Sequence, residues 1–316
     1  MLRFSKYHGC GNDFILIRED DAPRYANSEE MLAQLARTLC RRTTGIGADG
    51  LIIVRRSPLG MDVYNSDGSR APMCGNGIRC FAKYCFDEDV ISPALHEYDV
   101  STLAGQMHVR IESTDPFMVA IDMGKPDFSV QKMGIDVTVI GGNPGSSSQT
   151  SFLQRRLDAG GKMVTVDSVF MGTIHTVVWV SEKDGLFLEK SGGTGVSDLW
   201  HLTDAGGLEV AESLITLGKK LSEHPVYTEK TNVNFVSVLD RGTIEMVTYE
   251  RGAGLTAACG TGACAAGVLG LISGKLDRSV RVTLPYGVLN ISIGENEAVF
   301  MTGPAVCIAS GKYYEE

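Results

Sequence analysis

The chain has 316 residues, 43% hydrophobic and 21% charged, with a net charge of −9. That length fits two domains with sizeable apolar cores. The acidic balance argues against nucleic acid or an anionic membrane as partner.

In chain order, DFILIR (13–18) reads as a strand and SEEMLAQLARTLCRR (28–42) as a helix. Ser28 can cap that helix, Glu29 and Glu30 suit its positive end, and Met31, Leu32, Leu35, Ala36 and Leu39 form one apolar stripe. GLIIV (50–54) and MDVYN (61–65) read as strands. A second helix is expected from Gly75, with Ile78, Phe81, Ala82 and Cys85 at helical spacing. Strand-like runs follow near 97–103, 106–112 and 117–123. GGNPGSSSQTS (141–151) reads as a turn or loop within a poorly patterned stretch, 129–162. The order then repeats: strands at 163–170 and 175–180, a helix at 207–224, strands at 233–239 and 243–249, and a helix from Gly260.

The repetition extends to landmarks. Asn65 precedes Cys74 by nine residues, and Glu250 precedes Cys259 by nine. An internal duplication explains this, and the strand content is too meander-like for a doubly wound sheet. The expected fold is α+β, two similar domains, each a curved and mainly antiparallel sheet around a central helix. The first domain would span 1–128, completed by a C-terminal strand at about 303–316, and the second 129–302. The start MLRFSKYHGCGNDF lacks the long apolar core of a signal peptide, and no run reaches the roughly 18 apolar residues of a membrane span. A cytoplasmic, reducing location is therefore expected, where structural disulfides are rare. Eight cysteines without a CxxC pair do not suggest zinc or another metal site. Cys40, Cys80, Cys85, Cys264 and Cys307 fall on helix or strand patterns and are expected in the core. Cys10, in a glycine turn, is left open.

CGNG (74–77) and CGTG (259–262) carry the chemistry. Each puts a cysteine just before a glycine-rich helix start. The positive end of the helix favours thiolate over thiol. Unpaired N–H groups there can hold a carboxylate, and glycine lets the backbone approach a ligand. Two such turns facing each other across an interdomain cleft would suit inversion at an amino-acid α-carbon. One thiolate would remove the proton from one face, and the opposite thiol would return a proton to the other. No cofactor is needed for that chemistry.

The motifs YHGCGNDF (7–14), GIGADG (45–50), NSDGSRAPMCGNGIRCFAKY (65–84), TNVNF (231–235), ERGAGLTAACGTGACAA (250–266) and MTGP (301–304) resemble, in order, those of the diaminopimelate epimerase family. The resemblance covers essentially the whole chain. It implies pyridoxal-phosphate-independent epimerisation of LL-2,6-diaminopimelate to the meso form, and a fold of two pseudo-symmetric β-rolls, each around a helix. It implies Cys74 and Cys259 as catalytic bases, with His175 and Glu250 beside them assisting proton movement. Gly75, Asn76, Gly260 and Thr261 would hold the α-carboxylate, and Asn12, Asn65, Asn232 and Arg251 the rest of the substrate. One departure concerns Gly172-Thr173-Ile174-His175, where the family usually has Gly-Asn-Pro-His. Thr173 would then stand where an asparagine reads the distal amino-acid end. It favours an alternative, a related cofactor-independent racemase for another amino acid such as histidine. A non-catalytic binder or thiol redox sensor of the same fold is a further alternative. The expected partner is a small amino-acid substrate, and the sequence leaves a homodimer open.

Overall fold

Among the residues described by the computed structural model (1–25, 28–141, 151–181, 186, 199–204 and 207–315), one element order occurs twice. The first run is β1 (Leu2–Gly9), β2 (Asn12–Arg18), α1 (Glu29–Leu39), β3 (Gly50–Arg56), β4 (Leu59–Asn65), β5 (Arg70–Ala71), α2 (Gly75–Asp87), β6 (Glu97–Thr102), β7 (Gly105–Thr114) and β8 (Phe117–Asp122). The second begins with β9 (Phe152–Asp158), β10 (Met163–Met171), β11 (Thr173–Trp179), β12 (Trp200–Leu202), β13 (Leu208–Val210) and α3 (Glu212–Ser222). It continues through β14 (Asn232–Asp240), β15 (Thr243–Glu250), β16 (Gly254–Thr256), α4 (Gly260–Ile272), β17 (Ser279–Leu284), β18 (Gly287–Ile293) and β19 (Val299–Pro304). A last strand, β20 (Val306–Tyr313), pairs antiparallel with β1. The chain divides into two compact units, Met1–Asp122 with Thr302–Glu316, and Met123–Met301.

In the first unit β1 and β2 are antiparallel, β2 and β3 parallel, β3 and β4 antiparallel, β4 and β6 parallel, and β6, β7 and β8 an antiparallel meander. The second unit repeats this order with β10, β11, β14, β15, β17 and β18, including both parallel joints. The equivalence is residue by residue. Phe14 lies opposite Gly50 as His175 lies opposite Asn232, and Ile52 lies opposite Val63 as Asn234 lies opposite Thr248.

Helix α2 packs against β1, β2, β3, β4, β8 and β20, so strands surround it. Its burial therefore runs round the helix, from Gly75 to Ala82 and on to Tyr84 and Cys85. Helix α4, GTGACAAGVLGLI, is apolar on all sides and touches β10, β11, β14, β17 and β18. An all-apolar helix is an enclosed one. Its glycines mark where neighbours come closest. A Cβ on Gly267 would lie 3.1 Å from Ile291 Cγ2, and one on Gly270 2.2 Å from Leu276 Cδ1. Helices α1 and α3 instead lay one apolar face on a sheet, α1 on β3 and β4, α3 on β14, β15 and β16. The Ser28 hydroxyl caps α1 by accepting from Met31 N–H at 3.3 Å.

Several details differ from the sequence expectations. Met31 sits at the edge of the α1 stripe and is 39% exposed, while Ala33 is buried. The helix expected over 207–224 starts only at Glu212, because Leu208–Val210 pairs with β12 as a short hairpin. Cys307 is exposed on β20 rather than in the core. Residues 142–150 of the Gly/Ser stretch lie outside the described residues. No helix of the described residues is long and apolar enough to cross a membrane.

Candidate active site

Cys74 and Cys259 occupy the same place in their units, the N-cap of the enclosed helix. Their backbones are extended, with φ/ψ of −137°/119° and −129°/105°. At such an N-cap the first-turn N–H groups have no carbonyl partner within the helix.

In the first unit, Gly77 N–H donates to Cys74 Sγ at 3.4 Å. A Cβ on Gly77 would lie 3.2 Å from Ile52 Cδ1 and 3.3 Å from Cys74 Cβ, which accounts for the second glycine of CGNG. The Asn12 amide is oriented by Asp49, whose Oδ2 accepts from Asn12 Nδ2 at 2.7 Å. Asn12 Oδ1 is thereby turned to accept from Asn76 Nδ2 at 3.2 Å and from the Cys74 thiol at 3.9 Å. Arg42 Nη2 holds the other oxygen of Asp49 at 2.7 Å. Asn65, by contrast, is bonded within its own turn, Nδ2 donating to Ser69 Oγ at 2.9 Å. Gly75 is buried, and its carbonyl accepts from Nη1 of the fully buried Arg79 at 3.0 Å. Arg79 also donates to Pro304 O and contacts Cys10 Sγ, tying the start of α2 to the β1–β2 turn.

In the second unit, Cys259 is 6% exposed and its Sγ lies 3.5 Å from Thr261 Oγ1. Thr261 Oγ1 is 2.9 Å from His175 Nε2. His175 is fully buried; burial first, and then the nearby Arg251 charge, push its pKa down to about 3. It is therefore neutral at pH 7. His175 Nδ1 lies 3.3 Å from Asn234 Nδ2. Asn232, buried on the same strand, accepts from Arg251 N–H at 2.9 Å, and the Arg251 guanidinium donates to Glu229 O at 3.0 Å. Glu250 accepts from the Thr256 hydroxyl at 2.6 Å. Thr173 is half-buried at the start of β11, after Gly172 in the left-handed region at φ +73°. Gly260 is buried in the first turn of α4.

The described bonds thus gather Asn12, Cys74 and Asn76 in one unit, and His175, Thr261 and Cys259 in the other. Asn65 and Thr173 are not tied to either cysteine by these bonds. Sequence reading passed over Asn234, Asp49 and Thr248. For Asn234 a signal existed: two asparagines alternate in TNVNF between residues of a buried strand, and a buried amide must find partners. Among the other cysteines, burial pushes the thiols of Cys80 and Cys85 well above their ordinary range and that of Cys40 up to about 12. These thiols stay protonated.

A duplicated α+β chain with a cysteine at the N-cap position of each enclosed helix is one class of protein. The diaminopimelate epimerase family model matches residues 4–129 and 168–308. The chain belongs to that family. The diaminopimelate epimerase of Halothermothrix orenii is 35% identical over 98% of this chain and 97% of its own length. That of Microcystis aeruginosa is 36% identical over 98% of each chain. Among solved structures, a probable proline racemase from Agrobacterium radiobacter has a TM-score of 0.65 at 14% identity, covering 100% of this chain and 94% of that one. A phenazine biosynthesis protein of the PhzF family from Bacillus anthracis has a TM-score of 0.64 at 11% identity, covering 99% of each. These two likenesses bear on the fold alone.

Proposed function

We propose that the chain epimerises LL-2,6-diaminopimelate to meso-diaminopimelate without a cofactor, with Cys74 and Cys259 as the two bases. The observation that carries this reading is a cysteine at the N-cap of both equivalent helices, in a chain about one-third identical to diaminopimelate epimerases along nearly its full length. One thiolate takes the α-proton, and the electron pair of the broken C–H bond stays on carbon, delocalised into the carboxylate. The first-turn N–H groups contributed by Gly75, Asn76, Gly260 and Thr261 stabilise that charge. The other thiol donates its proton to the opposite face, and the configuration is inverted. Asn12, Asn65, Asn232 and Arg251 bind the remainder of the substrate, and Glu250 and His175 serve the cysteines. A cytoplasmic location accords with two thiols that must stay reduced.

One observation favours a second reading, a racemase for another amino acid. Thr173 offers a hydroxyl where the family's asparagine would offer an amide donor and acceptor. Incubation with LL-diaminopimelate in heavy water separates the two. Deuterium at the α-carbon together with meso product is expected. Exchange only with a monocarboxylic amino acid would overturn the first reading in favour of the second.

A further inference from the structure

The duplication is broken chemically around the cysteine turns. Phe14, Ile52 and Val63 of the first unit are all buried and apolar. Their equivalents in the second unit are His175, Asn234 and Thr248, all buried and polar. A buried polar set of this kind is costly unless its hydrogen bonds are complete, and the bonds here have one consistent direction as far as the Thr261 oxygen.

The direction starts at an atom that can only accept. The Thr176 carbonyl lies 3.1 Å from one side-chain atom of Asn234, which must therefore be the amide nitrogen. The other atom, Oδ1, accepts from the Thr248 hydroxyl at 3.1 Å. The second N–H of Asn234 then points at His175 Nδ1, so Nδ1 is the acceptor nitrogen of a neutral ring. The ring proton is left on Nε2, which donates to Thr261 Oγ1. With its oxygen accepting from His175, Thr261 keeps its hydroxyl proton available for the Cys259 sulfur 3.5 Å away. A hydrogen bond donated to sulfur favours the thiolate. On the other side, Cys74 Sγ accepts from Gly77 N–H at 3.4 Å as an N-cap, but its side-chain neighbour is an acceptor, Asn12 Oδ1 at 3.9 Å, fixed by Asp49, where Cys259 has a hydroxyl.

We propose that Asn234 and His175 are positioning residues that aim the Thr261 hydroxyl at Cys259, so that in the resting enzyme Cys259 is the thiolate and Cys74 the thiol. This rests on the two-cysteine reading above and revises one part of it. In this arrangement His175 acts through the Thr261 hydroxyl, with its other nitrogen held by Asn234. In the first half-reaction the Cys259 sulfur gains the α-proton as the C–H bond breaks. The Cys74 S–H bond then breaks to supply the new C–H bond, leaving the charge on Cys74. Proton exchange with water after product release restores the resting pair.

Three measurements on the full chain test this, none of which needs substrate, so failure here is distinguishable from a wrong substrate. First, the 15N spectrum of His175 should show the Nε2–H tautomer without titration from about pH 5 to 9. The Nδ1–H tautomer, or a titrating ring, would overturn the proposal. Second, Thr261→Val should slow alkylation of Cys259 by iodoacetamide roughly tenfold or more, the scale of one hydrogen bond to a charged group. The Cys74 rate should not change, and Thr261→Ser should keep the Cys259 rate near wild type. An unchanged Cys259 rate in Thr261→Val, or a slowed one in Thr261→Ser, refutes the aimed hydroxyl. Third, thiolate ultraviolet absorbance at neutral pH should fall in Cys259→Ser and persist in Cys74→Ser. The reverse pattern would assign the resting charge to Cys74 and sink the proposal.

Discussion

The second glycine of each cysteine turn should respond very differently to gaining a methyl group. A Cβ on Gly262 would lie 2.2 Å from Asn234 Oδ1, so Gly262→Ala must push that oxygen back by roughly 0.8 Å to reach even a 3.0 Å contact. The amide is not free to yield. It is fully buried and bonded to Thr176 O, His175 Nδ1 and Thr248 Oγ1. Overpacking of this kind costs about 1–3 kcal/mol, and each strained hydrogen bond adds on the order of 1 kcal/mol, so a loss of about 3 kcal/mol is expected. At Gly77 the nearest atoms are Ile52 Cδ1 at 3.2 Å and Cys74 Cβ at 3.3 Å. A side-chain methyl can swing aside by a few tenths of an ångström, so Gly77→Ala should cost roughly 1 kcal/mol or less. Denaturant unfolding of the two variants measures the difference directly, through shifted midpoints at constant slope. Epimerase activity should fall further in Gly262→Ala than in Gly77→Ala. Equal destabilisation, or a greater loss at Gly77, would show that the Asn234 amide is not a fixed wall and would remove the packing argument for its position.

Stability should also fall in acid through His175. Its pKa of about 3 in the folded chain lies below the unfolded value near 6.5, so the unfolded chain binds the proton first as pH drops. Its contribution is complete above about pH 6.5 and is lost toward pH 3, at up to about 1.4 kcal/mol per pH unit. His175→Gln should flatten the pH dependence of unfolding in that window, and parallel curves for the two proteins would contradict it. Arg79→Met removes the donors to Gly75 O and Pro304 O inside the first unit, and should cost about 2–4 kcal/mol in unfolding experiments. Cys307→Ser, at an exposed position of β20, should stay within about 0.5 kcal/mol and keep full activity; a large loss in either assay would mean that this face is covered.

Much of the architecture was legible because the sequence repeats it. The spacing of Asn65 to Cys74 and of Glu250 to Cys259 reflects equivalent ends of β4 and β15 leading into equivalent helices. The enclosed helices were legible through their glycine starts and apolar positions. Strand β1 was harder to see, since LRFSKYHG mixes charges with its buried Leu2, Tyr7 and Gly9. Strand β9, FLQRRLD, carries three charges and only two buried residues, so no apolar pattern announces it. The second strand of the β12–β13 hairpin, Leu208–Val210, reads as the start of the helix because Leu208 and Val210 run straight into the α3 stripe. In the site, the cysteines are visible from local sequence, whereas Thr248 meets Asn234 through strand register and Asp49 reaches Asn12 from the bend before β3.

A duplicated fold supplies two similar helix ends, and inversion needs two groups on one carbon. The chemistry nevertheless requires the groups to differ at every instant, one charged and one protonated. Two identical turns would leave that choice to chance fluctuations in a pair of equal thiols. The side chains that differ between the units lie one step behind the cysteines. Phe14 and Ile52 fill with carbon the positions where His175 and Asn234 form a directed chain of hydrogen bonds. The apolar pair costs nothing to bury, while the polar pair is tolerable only because Thr176, Thr248 and Thr261 complete it. Retaining such a set in one unit and not the other is hard to explain by packing alone, since the first unit shows that carbon suffices. It is explained if the polar set decides which sulfur bears the charge.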